Sequence, residues 1–353
     1  MKWNEDWDLT RRRFDAFWAH EIIDRACLQL YAPRHDVAPF PRPAGSPGDH
    51  WCDPAAFYAG NAAGFRHTHY LAEAFPVVYS SYGGLAAMQG CEQIFDDDTV
   101  WTRPCLRTLD GLAIQIDPAN PILQRMIAII EHAARHGQGQ CLVSFPADMG
   151  NRGDTLAKMR GYPELCIDLA DDPARVAALE QQVFACWLQL YDLFYSLTRP
   201  YMDGTCTQWL PIWSRGRSVL VEADFIALIS PRHLREVYLP TILAMIRSAE
   251  RSIFHLDGPD AARHVDLLLD IPELDGIQWE PGVAAQSATY WLPLLQKIQS
   301  RGKLLWARCR PDEAAAMLAN LSPRGLILSV PCDSLETAHG IIRLAEKSAA
   351  QRR

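Results

Sequence analysis

The second half of the chain alternates short apolar runs with segments of helical periodicity, and the pattern repeats at intervals of roughly 25 residues. A strand followed by a helix, several times over, predicts a parallel sheet with helical crossovers. The length of 353 residues, and the lack of a Gly-rich dinucleotide or phosphate loop, favour a closed barrel over an open sheet. The predicted fold class is α/β, a (β/α)8 TIM barrel with an N-terminal helical and Pro-rich extension.

Individual elements can be placed from apolar runs and from prolines that suit a first helical turn. The predicted strands cover residues 75–79, 141–145, 252–256, 276–279, 303–307 and 325–330. The predicted helix starts are Asn120-Pro121, Asp172-Pro173, Ser230-Pro231 and Arg310-Pro311. These assignments place several polar residues at the carboxyl ends of strands.

The N-terminal region differs from the rest of the chain in its pattern. An amphipathic helix is predicted over residues 11–24, and six prolines between residues 32 and 54 disfavour regular helix and central strand. We therefore divide the chain into residues 1–60, an N-terminal helix and Pro-rich arm packed on the barrel, and residues 61–353, the barrel itself.

Composition excludes some classes of partner. The net charge of -8 and the pI near 5.8 argue against a nucleic-acid binder, which needs clustered Lys and Arg. No apolar run approaches the ~18 residues of a membrane helix, and the start lacks the apolar core of a signal peptide. Ten cysteines without a Cys-x-x-Cys pair suit reduced thiols. We expect a cytoplasmic protein that binds neither nucleic acid nor membrane.

The stretch 252–258 ends in His255-Leu256-Asp257-Gly258. Alternate residues of a strand point to the same side, so His255 and Asp257 would lie together at a strand end. A thiol from another strand end, Cys332, would complete a set of nitrogen, oxygen and sulfur ligands that suits zinc and leaves one position open. Alternatively, His255 and Asp257 form a hydrogen-bonded or substrate-binding pair.

Other strand ends also carry polar or aromatic side chains. Glu280 would be a fourth ligand or a general base, or else a buried ion-pair partner of Arg308, which could itself bind a ligand. Trp213 and Trp279 lie in or beside strands whose ends would form the pocket. Their flat surfaces suit a substrate ring, and they also suit an ordinary core.

Several of these motifs together resemble the uroporphyrinogen decarboxylase superfamily, over almost the whole chain and best in its second half. The stretches that carry the resemblance are Trp213-Ser214, Asp224-Phe225, residues 229–240 with their Ser-Pro start, His255-Leu256-Asp257-Gly258, residues 275–280 and residues 332–337. The resemblance implies a barrel with its active site at the strand ends and adds Asp224 to the substrate-binding candidates.

Departures from the family pattern argue against tetrapyrrole decarboxylation. The arginine loop that holds the carboxylate arms in true decarboxylases corresponds to residues 30–34, where one arginine survives as Arg34 and the other is Leu30. Arg34 is therefore a substrate-binding candidate. The aspartate expected at residues 79–82 is absent, and Pro331-Cys332 replaces the C-terminal histidine loop.

The corrinoid-linked methyltransferase branch of the family is the better match. That branch holds zinc with His-x-Cys and a distant Cys, which His255 and Cys332 match while Asp257 replaces the first Cys. The resemblance implies a zinc-dependent enzyme that transfers methyl groups between a small substrate and a corrinoid partner protein. The alternatives are a metal-dependent hydrolase or lyase on a small polyhydroxylated or carboxylated compound, and a non-catalytic ligand-binding barrel. A homodimer is compatible with the sequence.

Overall fold

The computed structural model describes residues 1–38, 45–146, 148–282 and 286–351. Helices α1 to α15 span Trp7–Trp18, Pro47–Cys52, Pro54–Arg66, Leu85–Met88, Pro121–Gly137, Asp154–Arg160, Tyr162–Asp171, Pro173–Thr198, Pro231–His233, Leu239–Arg247, Gly258–Ala262, Val265–Leu269, Leu292–Ser300, Ala314–Asn320 and Leu335–Ala350. Strands β1 to β13 span Cys27–Pro33, Thr68–Ala72, Val77–Val78, Glu92–Phe95, Val100–Arg103, Leu142–Val143, Thr205–Thr207, Leu210–Ser214, Ser218–Val221, Arg251–Asp257, Gly276–Glu280, Leu304–Arg308 and Leu326–Pro331. Short 3-10 helices cover Asp224–Leu228, Ala288–Trp291 and Pro311–Glu313, and a π-helical turn, Leu234–Tyr238, joins α9 to α10.

The main sheet contains seven strands in the order β2-β1-β13-β12-β11-β10-β9. All neighbouring pairs are parallel except β1 with β2. Strands β3 and β6 form a separate parallel pair, while β4 with β5 and β7 with β8 are antiparallel. The α/β class with a largely parallel sheet is therefore confirmed. Because these ladders stay separate among the described residues, closure into a barrel remains a prediction.

All six strands predicted from the sequence are present. The ends of β10, β11, β12 and β13 lie within one residue of the predicted ends, and β3 and β6 are shorter than predicted. The prediction omits β1, β2 and β9, which are all in the main sheet. A run of four residues such as β9 is too short to give a clear periodic signal.

The predicted helix starts are largely confirmed. Side chains of Asn120, Asp172 and Ser230 accept backbone N–H bonds at the beginnings of α5, α8 and α9, as N-caps do. Pro311 begins a 3-10 turn that leads into α14, rather than an α-helix. No helix in the described ranges is both long and apolar enough to cross a membrane.

The N-terminal region has more regular structure than its prolines predict. Helix α1 ends at Trp18, because the backbone turns at His20, whose φ is 56°. Pro47 and Pro54 begin α2 and α3, since proline is tolerated in a first helical turn. Strand β1 lies in the predicted N-terminal segment and pairs with β13 in the main sheet. The prolines at positions 39, 41 and 43 lie outside the described residues.

Candidate metal centre

Three potential metal ligands meet where β9 and β10 end. His255 and Asp257 are on β10, and Asp224 begins the 3-10 helix that follows β9. One ligand atom from each lies within 4.8 Å of the other two, and Asp224 Oδ1 is 3.7 Å from His255 Nε2. They come together because β9 is the direct parallel neighbour of β10. One imidazole and two carboxylates form a nitrogen and oxygen donor set for a divalent cation.

The imidazole of His255 is held by the neighbouring strand. Gln278 on β11 is its register partner, and the amide oxygen of Gln278 accepts a hydrogen bond from His255 Nδ1. Both side chains are buried. With Nδ1 used as a donor, Nε2 carries the lone pair and is presented to the carboxylates. Metal-ligating histidines are commonly oriented by such a bond from their other ring nitrogen.

Asp257 supplies an independent test of whether the group suits a cation. Its Oδ1 atom is buried and has no hydrogen-bond partner among the described residues. Burial and the nearby Asp224 raise the pKa of Asp257, whereas His255 opposes that shift. An unpaired buried carboxylate oxygen is costly. Coordination to a cation would remove this cost, so the donor set fits a metal ion.

The surroundings of His255 are strongly anionic. Burial by itself would lower the pKa of this imidazole, but the carboxyls of Asp224 and Glu222 outweigh burial, and the pKa is raised. The pocket therefore favours a positive charge, which a proton or a metal ion can provide. Because the two compete for the same imidazole, metal binding should strengthen as pH rises.

Glu222 is a further acid of this site that the sequence prediction misses. It directly follows β9, it is 8% exposed, and its carboxylate accepts hydrogen bonds from Trp209 Nε1 and, at 2.8 Å, from Asn151 Nδ2. The ring of Trp209 packs edge-on against His255, with centroids 5.1 Å apart. The available signal was Glu222-x-Asp224 after an apolar run, the same spacing as His255-x-Asp257.

Cys332, the predicted sulfur ligand, is not a member of this group. Its thiol donates to the carbonyl of Val330, and its backbone N–H donates to Tyr31. Burial raises its pKa to about 11. The physical reason for its separation is strand order: β12 and β11 lie between β13 and β10. The third member of the group is Asp224, which follows β9, a direct neighbour of β10.

The two tryptophans predicted to bind substrate also lie apart from the group. Trp279 is the register partner of Leu256, so it faces away from His255 and Asp257 and packs on Trp291. Trp213 lies on β8, which pairs with β7 rather than with the main sheet. Its ring contacts Trp7, and its Nε1 donates to the carbonyl of Asp203. Both are core residues, 3% and 1% exposed, whereas Trp209 is an aromatic side chain that does contact the site.

The charged candidates lie at the carboxyl ends of other strands in the main sheet. Glu280 is the register partner of Asp257. Burial and Asp257 raise the pKa of Glu280, while His255 and Arg308 act in the opposite direction. Arg308 ends β12 and is exposed, and no ion pair within 4.0 Å joins it to Glu280 in the described ranges. Arg34 follows β1 and forms an exposed ion pair with Asp36 at 2.8 Å.

A solved structure with this architecture belongs to an archaeal enzyme. The chain shares its fold with a methyltransferase from Methanosarcina mazei. The TM-score is 0.59 at 12% sequence identity, and the match covers 96% of this chain and 98% of that chain. No protein-family model and no curated protein matches the sequence. At this identity the likeness shows the fold alone.

The protonation of Glu222 gives a prediction for stability. Burial raises its pKa from 4.5 to about 7. Between these pH values the folded chain holds a proton on Glu222 that the unfolded chain has released. The stabilisation of the folded state by this proton is full below pH 4.5 and is lost as pH rises through 7. The free energy of unfolding of wild type should therefore fall between pH 5 and pH 8, and we expect Glu222→Gln to reduce this fall by on the order of 2 kcal/mol.

Urea unfolding of the metal-free protein at pH 5 and pH 8 measures this effect. Glu180 is also buried and its pKa is also raised to about 7. The quantity to compare is therefore the difference in unfolding free energy between wild type and Glu222→Gln at each pH. The contribution of Glu180 is the same in both proteins and drops out of this difference. An equal difference at both pH values would show that Glu222 does not titrate in this range.

Proposed function

We propose that this protein is a metal-dependent, methyltransferase-like enzyme acting on a small molecule, with Asp224, His255 and Asp257 holding the metal and zinc as the first candidate. The observation that carries the proposal is the convergence of these three side chains within 4.8 Å at adjacent strand ends. The shared fold with an archaeal methyltransferase supports the reaction class.

The proposal includes closure of the sheet into a (β/α)8 barrel. Strands β1, β3, β6 and β9 to β13 supply eight strands, and β7, which pairs with β8, lies close to both β6 and β9. In such barrels the catalytic groups come from the carboxyl ends of several strands. The candidate ligands and Glu280 have that location.

The side chains around the candidate ligands have distinct roles in the proposed chemistry. A bound divalent cation would act as a Lewis acid that lowers the pKa of a substrate hydroxyl or thiol. Glu222, with a pKa near neutrality, accepts the proton that leaves this group. Trp209 keeps water from one side of His255. Glu280 acts as a second general base, and Arg308 and Arg34 bind anionic parts of the substrate.

The proposed methyl donor or acceptor is a corrinoid on a partner protein. Methylcobalamin is therefore the probe, with small thiols and alcohols as acceptors. We expect the zinc-loaded protein to transfer the methyl group to an acceptor and to lose this activity after chelation. If zinc-loaded protein transfers no methyl group to any acceptor in the panel, the methyltransferase proposal fails.

A second candidate function follows from the donor atoms. The group offers oxygen and nitrogen but no sulfur, and hard oxygen ligands make a metal a stronger Lewis acid than thiolates do. Such a site would also activate water, as in a hydrolase or lyase acting on a polyhydroxylated or carboxylated compound. Metal-dependent cleavage of sugar esters or lactones, without methyl transfer, would favour this function.

Glu280→Gln separates a catalytic role of Glu280 from a structural one. The substitution keeps the volume and removes the charge. As a general base, Glu280 contributes about 10²–10⁴-fold to the rate, so we expect that loss of turnover with an unchanged melting temperature. A lower melting temperature with full turnover would instead show that Glu280 supports the fold rather than the reaction.

A further inference from the structure

The chain segment 151–154 lies against the carboxyl end of β9 and contacts both of its acids. The side chain of Asn151 donates to the carboxylate of Glu222 at 2.8 Å, and the backbone N–H of Arg152 donates to the Glu222 carbonyl at 3.0 Å. Two bonds from consecutive residues thus fix both the side chain and the main chain of Glu222. The segment continues directly into α6, which begins at Asp154.

Asp154 makes the corresponding contacts with the next residues of the same strand end. Its Oδ2 accepts the backbone N–H of Asp224 at 2.8 Å, and its Oδ1 accepts that of Phe225 at 2.9 Å. The carboxylate is 4% exposed, so water does not compete freely for these bonds. Both oxygens are therefore used to hold the backbone from which the Asp224 side chain projects.

The side chain of Asp224 depends on this backbone support. Its carboxylate is 50% exposed, and its nearest ionic partner is His255 at 3.7 Å, which is longer than a hydrogen bond. Since no hydrogen bond to this half-exposed carboxylate is seen within the described ranges, its main chain orients it. Supporting groups of this kind commonly change metal affinity without touching the metal.

We propose that Asp154 is a positioning residue of the metal centre, which sets Asp224 for coordination by holding its backbone. This inference rests on the proposed function, because it assumes that Asp224 is a ligand. It adds a residue outside the ligand set whose removal should lower metal affinity while all three ligands remain. Asn at position 154 keeps the shape, but its NH2 group would face one of the two backbone N–H donors.

The test compares Asp154→Asn with Glu313→Gln by titration of the metal-free proteins with Zn2+. Glu313 is a matched control: it is buried at 6% exposure, and it accepts two backbone N–H bonds, from Ala288 and Arg310, without contacting Asp224. We expect Asp154→Asn to bind Zn2+ about 10–100-fold more weakly than wild type, and Glu313→Gln to bind within about threefold of it. The visible spectrum of bound Co2+ should change in Asp154→Asn alone.

Gly153→Ala keeps the test decisive if Asp154→Asn does not fold. Gly153 has φ +76°, and an added Cβ would lie 2.7 Å from the Cβ of Phe225, so alanine displaces the same backbone without changing a charge. The positioning role would be overturned if whichever of the two variants folds binds Zn2+ as tightly as wild type. It would also be overturned if Glu313→Gln loses as much Zn2+ affinity as these variants do. Absence of Zn2+ binding by wild type would overturn the proposed function itself.

Discussion

Asp224→Asn is expected to weaken Zn2+ binding by at least about a hundredfold, whereas Cys332→Ala should leave the affinity within about threefold of wild type. Asp224 lies 3.7 Å from His255, while the thiol of Cys332 donates to its own strand. Because His255 and Asp257 are common to both proposed ligand sets, these two substitutions separate the set that includes Asp224 from the set predicted by sequence, which includes Cys332.

Titration with Zn2+ against a chromophoric chelator measures both affinities, and thermal unfolding followed by circular dichroism shows that each variant is folded. His255→Ala is the positive control, since both ligand sets require it. Loss of metal in Cys332→Ala with retention in Asp224→Asn would restore the ligand set predicted from the sequence and assign Asp224 to the substrate.

Glu73→Gln is expected to cost about 3–5 kcal/mol of unfolding free energy, because it leaves the buried Arg25 without its counter-charge. Glu73 is 0% exposed and accepts hydrogen bonds from both terminal nitrogens of Arg25, from Arg13 Nη1 and from the backbone of Leu28. These bonds tie α1 and β1 to the end of β2. Glutamine keeps the shape but removes the counter-charge of Arg25, whereas Arg13 keeps its ion pair with Asp24.

Urea unfolding of Glu73→Gln beside Glu236→Gln measures this contribution. Glu236 pairs with Arg232 at 3.0 Å, but both side chains are at least half exposed, and such pairs contribute little. We expect Glu236→Gln, the control, to unfold at the same urea concentration as wild type. Equal stability of all three proteins would mean that the Glu73 cluster does not hold the N-terminal region on the sheet.

The parts of the site that follow from local chain geometry could be predicted from the sequence. His255 and Asp257 share a face because side chains alternate along one strand, and this requires no knowledge of the rest of the fold. The same holds for the ends of β10 to β13, which are bounded by Gly and Pro. Of the three residues that converge in the structure, the sequence therefore predicted two as metal ligands and the third, Asp224, as a substrate-binding residue.

The third residue depends on which strands are neighbours. Neighbouring strands lie about 4.8 Å apart, so three strand steps along the sheet separate β13 from β10 by roughly 14 Å. On its other side from β11, β10 adjoins β9, which is too short to be recognised from its periodicity. Asp224 was therefore predicted as a substrate-binding residue rather than as a ligand, and Glu222 was missed, as was Asp154, which meets the backbone of Asp224 across 70 residues of chain.

Metal stoichiometry tests the central claim most directly. Wild-type protein would be stripped with a chelator, loaded with Zn2+, passed through a desalting column and assayed by elemental analysis, with Asp224→Asn treated in parallel. The convergence of Asp224, His255 and Asp257 predicts about one equivalent of zinc per wild-type chain and far less in the variant. Wild-type protein that retains no zinc, and no other divalent cation offered in its place, would contradict the assignment of a metal centre.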